Sequence, residues 1–215
     1  MLITRRSKSY LVLYKVIQFF LKAIFIMLFR VQTIDFFKVP KKGKLIICPN
    51  HIGYLDAVLL GAFIPRCIYF MAKKELYSSK ILGPLITFLN AFPVNRQSFD
   101  RKAFRAAFEV LNAGNAMGLF PEGTRSRDGI LREGRKGIGF IAKESRTPIL
   151  PMALSGTNKI IQKPHKRIFF PKIKLIVGDI IDVNDIVENN DKKEVIDKIL
   201  DKTMEEINKL YKKIK

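Results

Sequence analysis

Two histidines occur in the 215 residues, and only His51 stands where chemistry is readily built. It follows the apolar stretch Lys44–Cys48 (KLIIC) and a Pro49-Asn50 turn, and Asp56 comes five residues later in NHIGYLD. On a continuous helix that offset amounts to about 500°, leaving the two side chains about 140° apart. They meet only if His51 occupies a strand-to-helix turn, bracketed by Pro49 and Gly53, with Asp56 in the first turns of the helix. An imidazole held there by a carboxylate is fixed in one tautomer and serves as a general base. The alternative is a histidine that caps the helix or bonds a backbone group. His165 lies in the basic run Lys163-Pro164-His165-Lys166-Arg167 and reads as solvated.

A second chemical cluster lies at Leu119–Arg127, LFPEGTRSR. Its reading is a buried strand that ends over Gly118–Pro121 and gives way to a Glu-Gly-Thr-Arg turn. Backbone amides freed by Gly123, the Thr124 hydroxyl and the Arg125 fork together suit a phosphate. Glu122 stands beside that turn, placed to aim Arg125 or to accept a substrate hydroxyl. An ordinary turn with a surface ion pair is the bland alternative. Cys48 and Cys67 form neither a disulfide framework nor a zinc spacing, which favours a reducing, cytosol-facing setting. Cys48 reads as a small core residue rather than a nucleophile.

Alternating strands and helices must position these groups. The patterning predicts strands at 44–48, Arg66–Met71, near Phe92–Val94, Ile149–Leu154 and Ile173–Val177. Between them it predicts helices at Tyr54–Phe63, 100–112 and Ile138–Glu144. The charge-free run 81–95 reads as a buried helix leading into a strand, or as an interfacial patch. Ile196, Leu200, Thr203, Ile207, Leu210 and Ile214 mark an amphipathic C-terminal helix docked on the body. The result is an α/β fold, a mixed or mainly parallel sheet flanked by helices.

Residues 10–30, YLVLYKVIQFFLKAIFIMLFR, invite a membrane assignment, but Lys15 and Lys22 interrupt them. Lys8, Lys15 and Lys22 recur every seven residues, so each stands only about 20° from the last on a helix. With Gln18 beside them, they form a polar stripe toward lipid headgroups, while Phe19, Phe20, Ile24, Phe25 and Met27 face acyl chains. A helix packed on the protein's own core, with snorkelling lysines, is the alternative. No small-residue cleavage site follows, which argues against a signal peptide. Residues 1–40 are thus expected to be an N-terminal membrane-interface helical segment, and 41–215 the catalytic domain.

The formal net charge is +20, and it is uneven: +9 over residues 1–44, +12 over 45–181 and −1 over 182–215. Such a charge calls for an anionic partner, whether nucleic acid, an anionic membrane or a phosphorylated substrate. Gly137-Ile138-Gly139-Phe140-Ile141-Ala142 matches the dinucleotide fingerprint, but it follows LREGRK rather than a strand. Lys159 also stands where that fold needs an acid. Neither a phosphate-loop motif nor a G-x-S-x-G elbow occurs, which leaves kinase and serine-hydrolase readings without their key residues.

Taken together, these motifs resemble the glycerolipid acyltransferases of the 1-acylglycerol-3-phosphate acyltransferase type. Asn50-His51 through Asp56 is similar to their NHxxxxD block, and Phe120–Ser126 to FPEGTRS. Phe92-Pro93-Val94-Asn95-Arg96 looks like their second block, with Asn90 where a glycine is common, and Met71–Leu76 like the lysine-bearing stretch before it. Ile149–Leu154 resembles the fourth block with its proline. The resemblance implies His51 as general base and Asp56 as its orienting partner. It implies Arg96, Glu122, Gly123, Thr124 and Arg125 as ligands of the glycerol-phosphate end, with Lys73 as a weaker candidate. His51 would deprotonate the free hydroxyl of a lysophospholipid, most naturally 1-acyl-glycerol-3-phosphate, for attack on an acyl thioester. No metal and no organic cofactor is implied beyond the donor, acyl-CoA or acyl-carrier protein. The expected setting is the cytoplasmic face of the cell membrane, peripheral or monotopic, on an anionic surface and without nucleic acid. A different lysolipid acceptor, or a non-catalytic basic protein that binds membrane or nucleic acid, are the rival readings.

Overall fold

The computed structural model describes residues 7–80, 82–95, 100–126, 128–162 and 167–215. Helix α1 spans Lys8–Phe29, capped by the Ser7 hydroxyl, which accepts from the Tyr10 amide, and closed by Arg30 in the left-handed region. Strand β1 (Gln32–Ile34) follows, then β2 (Leu45–Pro49), α2 (Asp56–Phe63) and β3 (Ile68–Lys73). Next come α3 (Leu82–Phe88), β4 (Ala91–Val94), α4 (Arg101–Asn112) and β5 (Ala116–Gly118). Helix α5 (Gly137–Ser145) leads to β6 (Ile149–Ser155), the short strands β7 (Ile161–Gln162) and β8 (Arg167–Ile168), and β9 (Lys174–Val177). Helices α6 (Val183–Glu188) and α7 (Val195–Ile214) complete the chain.

The strands form a seven-stranded sheet in the order β1-β9-β6-β2-β5-β3-β4, and β7 with β8 makes a separate hairpin. From β6 to β4 neighbouring strands are parallel; β9 runs antiparallel to β6, and β1 runs with β9. Residues 32–34 therefore belong to the sheet, so the expected division after residue 40 falls behind the first strand rather than ahead of it.

Parallel strands covered on both faces are apolar throughout, and every residue of β2 is buried. Ile46 and Cys48 face the layer of α4, α5, α6 and α7, whereas Leu45 and Ile47 face α2. Helix α1 lies on α2, outside the sheet, through Phe25 and Phe29 against Leu59, Ala62 and Phe63. At Gly139 an added Cβ would stand 2.4 Å from the Ile196 carbonyl oxygen. The fingerprint-like glycine thus permits close approach of α5 and α7 and serves helix packing. Helix α7 is docked on the body as expected, with Leu200, Thr203, Ile207, Leu210 and Ile214 buried, although Ile196 is only half-buried and Ile199 fills the core in its place.

Three expectations need correction. Strand β5 ends at Gly118, three residues short of Pro121. Only the Leu119 amide, donating to the Ile47 carbonyl at 2.9 Å, continues the ladder. Phe120 and Pro121 are thereby released into the turn. On α1, Gln18 does not join the lysine stripe: its amide donates to the carbonyls of Gly61 (2.7 Å) and Ile64 (2.8 Å) at the end of α2. Phe25, expected to face acyl chains, is buried.

Chain order reverses around β2. From β2 the chain crosses to β3 and β4, returns to β5, then moves to β6 on the opposite side. Crevices at such switch points, outside the carboxyl ends of the strands, are where open α/β sheets bind ligands. Adjacent strands β2 and β5 deliver their exit turns side by side, with Ile47 paired to Gly118.

Candidate active site

His51 leaves β2 at that carboxyl edge. Its Nδ1 lies 2.8 Å from Asp56 Oδ2. The same oxygen accepts the backbone N–H groups of Ile52 and Gly53, both at 2.8 Å. Asp56 is fully buried at the first turn of α2, while the His51 side chain keeps 13% exposure. A carboxylate at Nδ1 makes that nitrogen the N–H, so the lone pair sits on Nε2. Three hydrogen bonds to one carboxylate oxygen hold the turn, the helix start and the ring as one unit.

The turn after β5 closes on the other side of His51. The Phe120 ring stacks on the imidazole at 4.0 Å between centroids. Glu122 Oε1 accepts the His51 N–H at 2.7 Å, and the Ser126 N–H donates to the His51 carbonyl at 2.7 Å. Both backbone groups of His51 are thus held by residues 71 and 75 positions further along the chain. Ser126 is itself buried, its hydroxyl beside Asp128 Oδ1 (2.7 Å) and the Ile130 carbonyl. Asn50 clips the start of the turn to β6: its amide donates to the Leu154 carbonyl at 3.1 Å and its oxygen accepts the Leu154 N–H at 2.7 Å.

Glu122 has a different job from the one its sequence position suggested. Its second oxygen accepts the Arg132 N–H at 3.1 Å, so the carboxyl group bridges two backbone segments instead of aiming Arg125. It is buried, and burial raises its pKa above the usual carboxylate value against the opposing pull of the His51 and Arg132 amides. Gly123 adopts φ +67°, and a Cβ there would sit 2.8 Å from the Arg135 side chain. That backbone turn is open to glycine at low cost and strained for other residues. Thr124 is exposed, and Arg125, half-buried, lies 3.6 Å over the Tyr54 ring. Tyr54 thereby holds the guanidinium beside the His51 turn.

Lys73 ends β3 on the same carboxyl edge and sits 3.2 Å from Glu75, exposed. Arg96 and His165 lie outside the described residues. Cys48 is fully buried within the sheet, and burial raises its thiol pKa well above the ordinary value, as suits a core residue. Sequence reasoning gave no role to Asn50, Tyr54, Phe120 and Ser126, though all four fall inside the two motifs. Their signal was the motif itself; their partners are long-range and invisible to spacing.

The arrangement can remove a proton at His51 Nε2 beside a turn carrying a hydroxyl and a guanidinium. The family described as Acyltransferase matches residues 30–155. A 1-acyl-sn-glycerol-3-phosphate acyltransferase of Bacillus subtilis is 31% identical over 143 residues, covering 66% of this chain and 68% of the relative. One of Borreliella burgdorferi is 32% identical over 127 residues, covering 58% of this chain and 51% of the relative, so about half of that protein is spanned. The crystal structure of the 1-acyl-sn-glycerophosphate (LPA) acyltransferase of Thermotoga maritima superposes with a TM-score of 0.74 at 28% identity, covering 96% of this chain and 84% of that one. A family match over more than half of the chain, a relative matched over two thirds of its length and a shared overall architecture place the chain in the 1-acyl-sn-glycerol-3-phosphate acyltransferase family, as an acyltransferase.

Proposed function

We propose that this protein transfers a fatty acyl group from an acyl thioester to the free hydroxyl of 1-acyl-glycerol-3-phosphate, giving phosphatidic acid. The observation that carries the reading is the His51–Asp56 pair at 2.8 Å, set beside the Thr124-Arg125 turn. His51 Nε2 takes the hydroxyl proton as the oxygen attacks the thioester carbonyl. Collapse of the tetrahedral adduct expels the thiolate, which receives the proton back from the imidazolium. Asp56 stabilises that imidazolium and keeps Nε2 aimed outward. Thr124 and Arg125, with Arg96 and Lys73, bind the phosphate of the acceptor. The donor, acyl-CoA or acyl-carrier protein, is anionic and suits the basic body.

The reaction takes place on a membrane surface. Helix α1 is long and apolar enough to cross a bilayer by length and composition. Its inner face, however, is docked on α2 through Gln18, Phe25 and Phe29. Val12, Val16, Phe19, Phe20 and Met27 are exposed on the outer face. A helix with one face on protein and the other on lipid lies in the interface, which supports the proposed monotopic attachment on the cytoplasmic side. The decisive assay crosses acyl-CoA and acyl-carrier-protein donors with several lysolipid acceptors, using purified protein and His51→Ala. Transfer to lysophosphatidate should dominate and should fall by ~10²–10⁴-fold in the variant. Preference for another lysolipid changes the acceptor; wild-type turnover by His51→Ala removes the mechanism.

A further inference from the structure

The hairpin between β6 and β9 carries a second apolar surface, separate from the outer face of α1. Ile168 is 65% exposed, Phe169 42% and Phe170 51%, in the sequence Arg167-Ile168-Phe169-Phe170-Pro171-Lys172 with Arg167 and Lys172 also exposed. Three consecutive large apolar residues in water, flanked by bases and free of acids, do not serve a soluble surface. They are continuous with α1: the Phe170 ring meets Phe29 at 5.6 Å, and the Arg30 guanidinium donates to the Phe170 carbonyl at 2.8 Å. The Ile173 N–H donates to the Phe29 carbonyl at 3.1 Å, which seats the strand on the end of the helix.

The position of the hairpin in the fold matters as much as its composition. Strand β6 runs parallel to β2 and β9 antiparallel to it, so the chain between them leaves and re-enters the sheet at the edge where His51 sits. That connection also touches the His51 turn, where a Cβ on Gly53 would lie 2.6 Å from Thr157.

We propose that Ile168–Phe170 form a second membrane contact that inserts into the headgroup region and holds the catalytic edge against the bilayer. Its occupant is an anionic lipid surface: the aromatics enter the acyl boundary while Arg30, Arg167 and Lys172 meet phosphates. Two contacts, one at α1 and one at the catalytic edge, fix the tilt of the body, whereas a single helix leaves it free to roll. The inference rests on the membrane reading of α1 and is tested so that the two fail separately.

The chain has no tryptophan, so Phe169→Trp and Phe20→Trp each supply a single reporter. Both are mixed with vesicles of phosphatidylglycerol and phosphatidylcholine, with and without lipids brominated along the acyl chain. Blue-shifted emission and bromine quenching at both positions is the expected result. A shift at residue 20 with none at residue 169 overturns the hairpin contact and keeps α1 on the membrane. A shift at 169 alone retains the hairpin and removes α1. Silence at both removes both. Independently, the double variant Ile168→Asp, Phe169→Asp should weaken vesicle binding by about tenfold or more, since each large apolar side chain withdrawn from lipid forfeits its burial. Its circular dichroism should match wild type. Binding at wild-type strength by this variant also overturns the proposal.

Discussion

At the residue scale, the site is organised around holding one imidazole. Asp56 fixes the ring through Nδ1, and Glu122 and Ser126 fix the peptide of the same residue. Asp56→Asn should retain the fold while kcat falls by ~10²–10⁴-fold with a much smaller change in KM, read by steady-state kinetics. Glu122 gives a pH prediction. Its carboxyl pKa is raised in the folded protein, so the folded state holds that proton more tightly than the unfolded chain. The stabilisation this confers is fully present below the ordinary carboxyl value and is lost as pH rises through the raised one. Glu122→Gln removes the titration. Urea unfolding at several pH values should therefore show wild type gaining on the variant as pH falls through that window. A constant difference would contradict it. Cys48 lies in the core, so Cys48→Ala should keep turnover within a few-fold while unfolding at lower urea.

At the element scale, α1 has two faces with separable roles. Gln18 anchors the helix to the carbonyls at the end of α2, and the outer face presents exposed apolar side chains, the face proposed to meet lipid. Gln18→Ala leaves two carbonyls without their donor and should cost about 1–3 kcal/mol in unfolding experiments, with vesicle binding intact. Phe20→Asp should do the reverse, lowering co-sedimentation with anionic vesicles and leaving the melting temperature within a few degrees. Similar effects from both would show that docking and membrane contact are one function. The turn from α3 into β4 is tied to the same helix. Asn90 adopts φ +60°, and its side-chain oxygen accepts the Tyr10 hydroxyl at 2.8 Å. Asn90 is thus a residue that tolerates the left-handed turn and also bonds α1.

At the scale of the whole molecule, the basic excess lies in α1, its flanks and the body, while residues 182–215 are balanced. The balanced tail packs as α7 across the face of the sheet opposite α1. Membrane affinity should therefore fall steeply with added salt and with replacement of anionic by zwitterionic lipid, measured by vesicle co-sedimentation. Salt-independent binding would assign attachment to the apolar surfaces alone. The fold itself was largely legible. Buried strands such as KLIIC are continuous apolar runs because both sheet faces are covered, and the α4 and α7 helices carry clear three-four spacing. The end of β5 was misplaced because Leu119 and Phe120 are as apolar as a strand, and periodicity carries no signal for where pairing stops.

The sequence by itself determined the family and pointed to its chemistry: a His and an Asp at an offset that requires a turn, a Gly-Thr-Arg turn suited to phosphate, and a resemblance that joined them. Tertiary structure decided what spacing along the chain cannot express. Glu122 accepts the His51 and Arg132 amides, because β2 and β5 are neighbours and bring residues 71 apart into contact. Gln18 turns inward because two carbonyls at the end of α2 need donors, a demand that exists only once α1 and α2 are packed. Side-chain type is local information. The partner that uses it is set by which strands lie side by side.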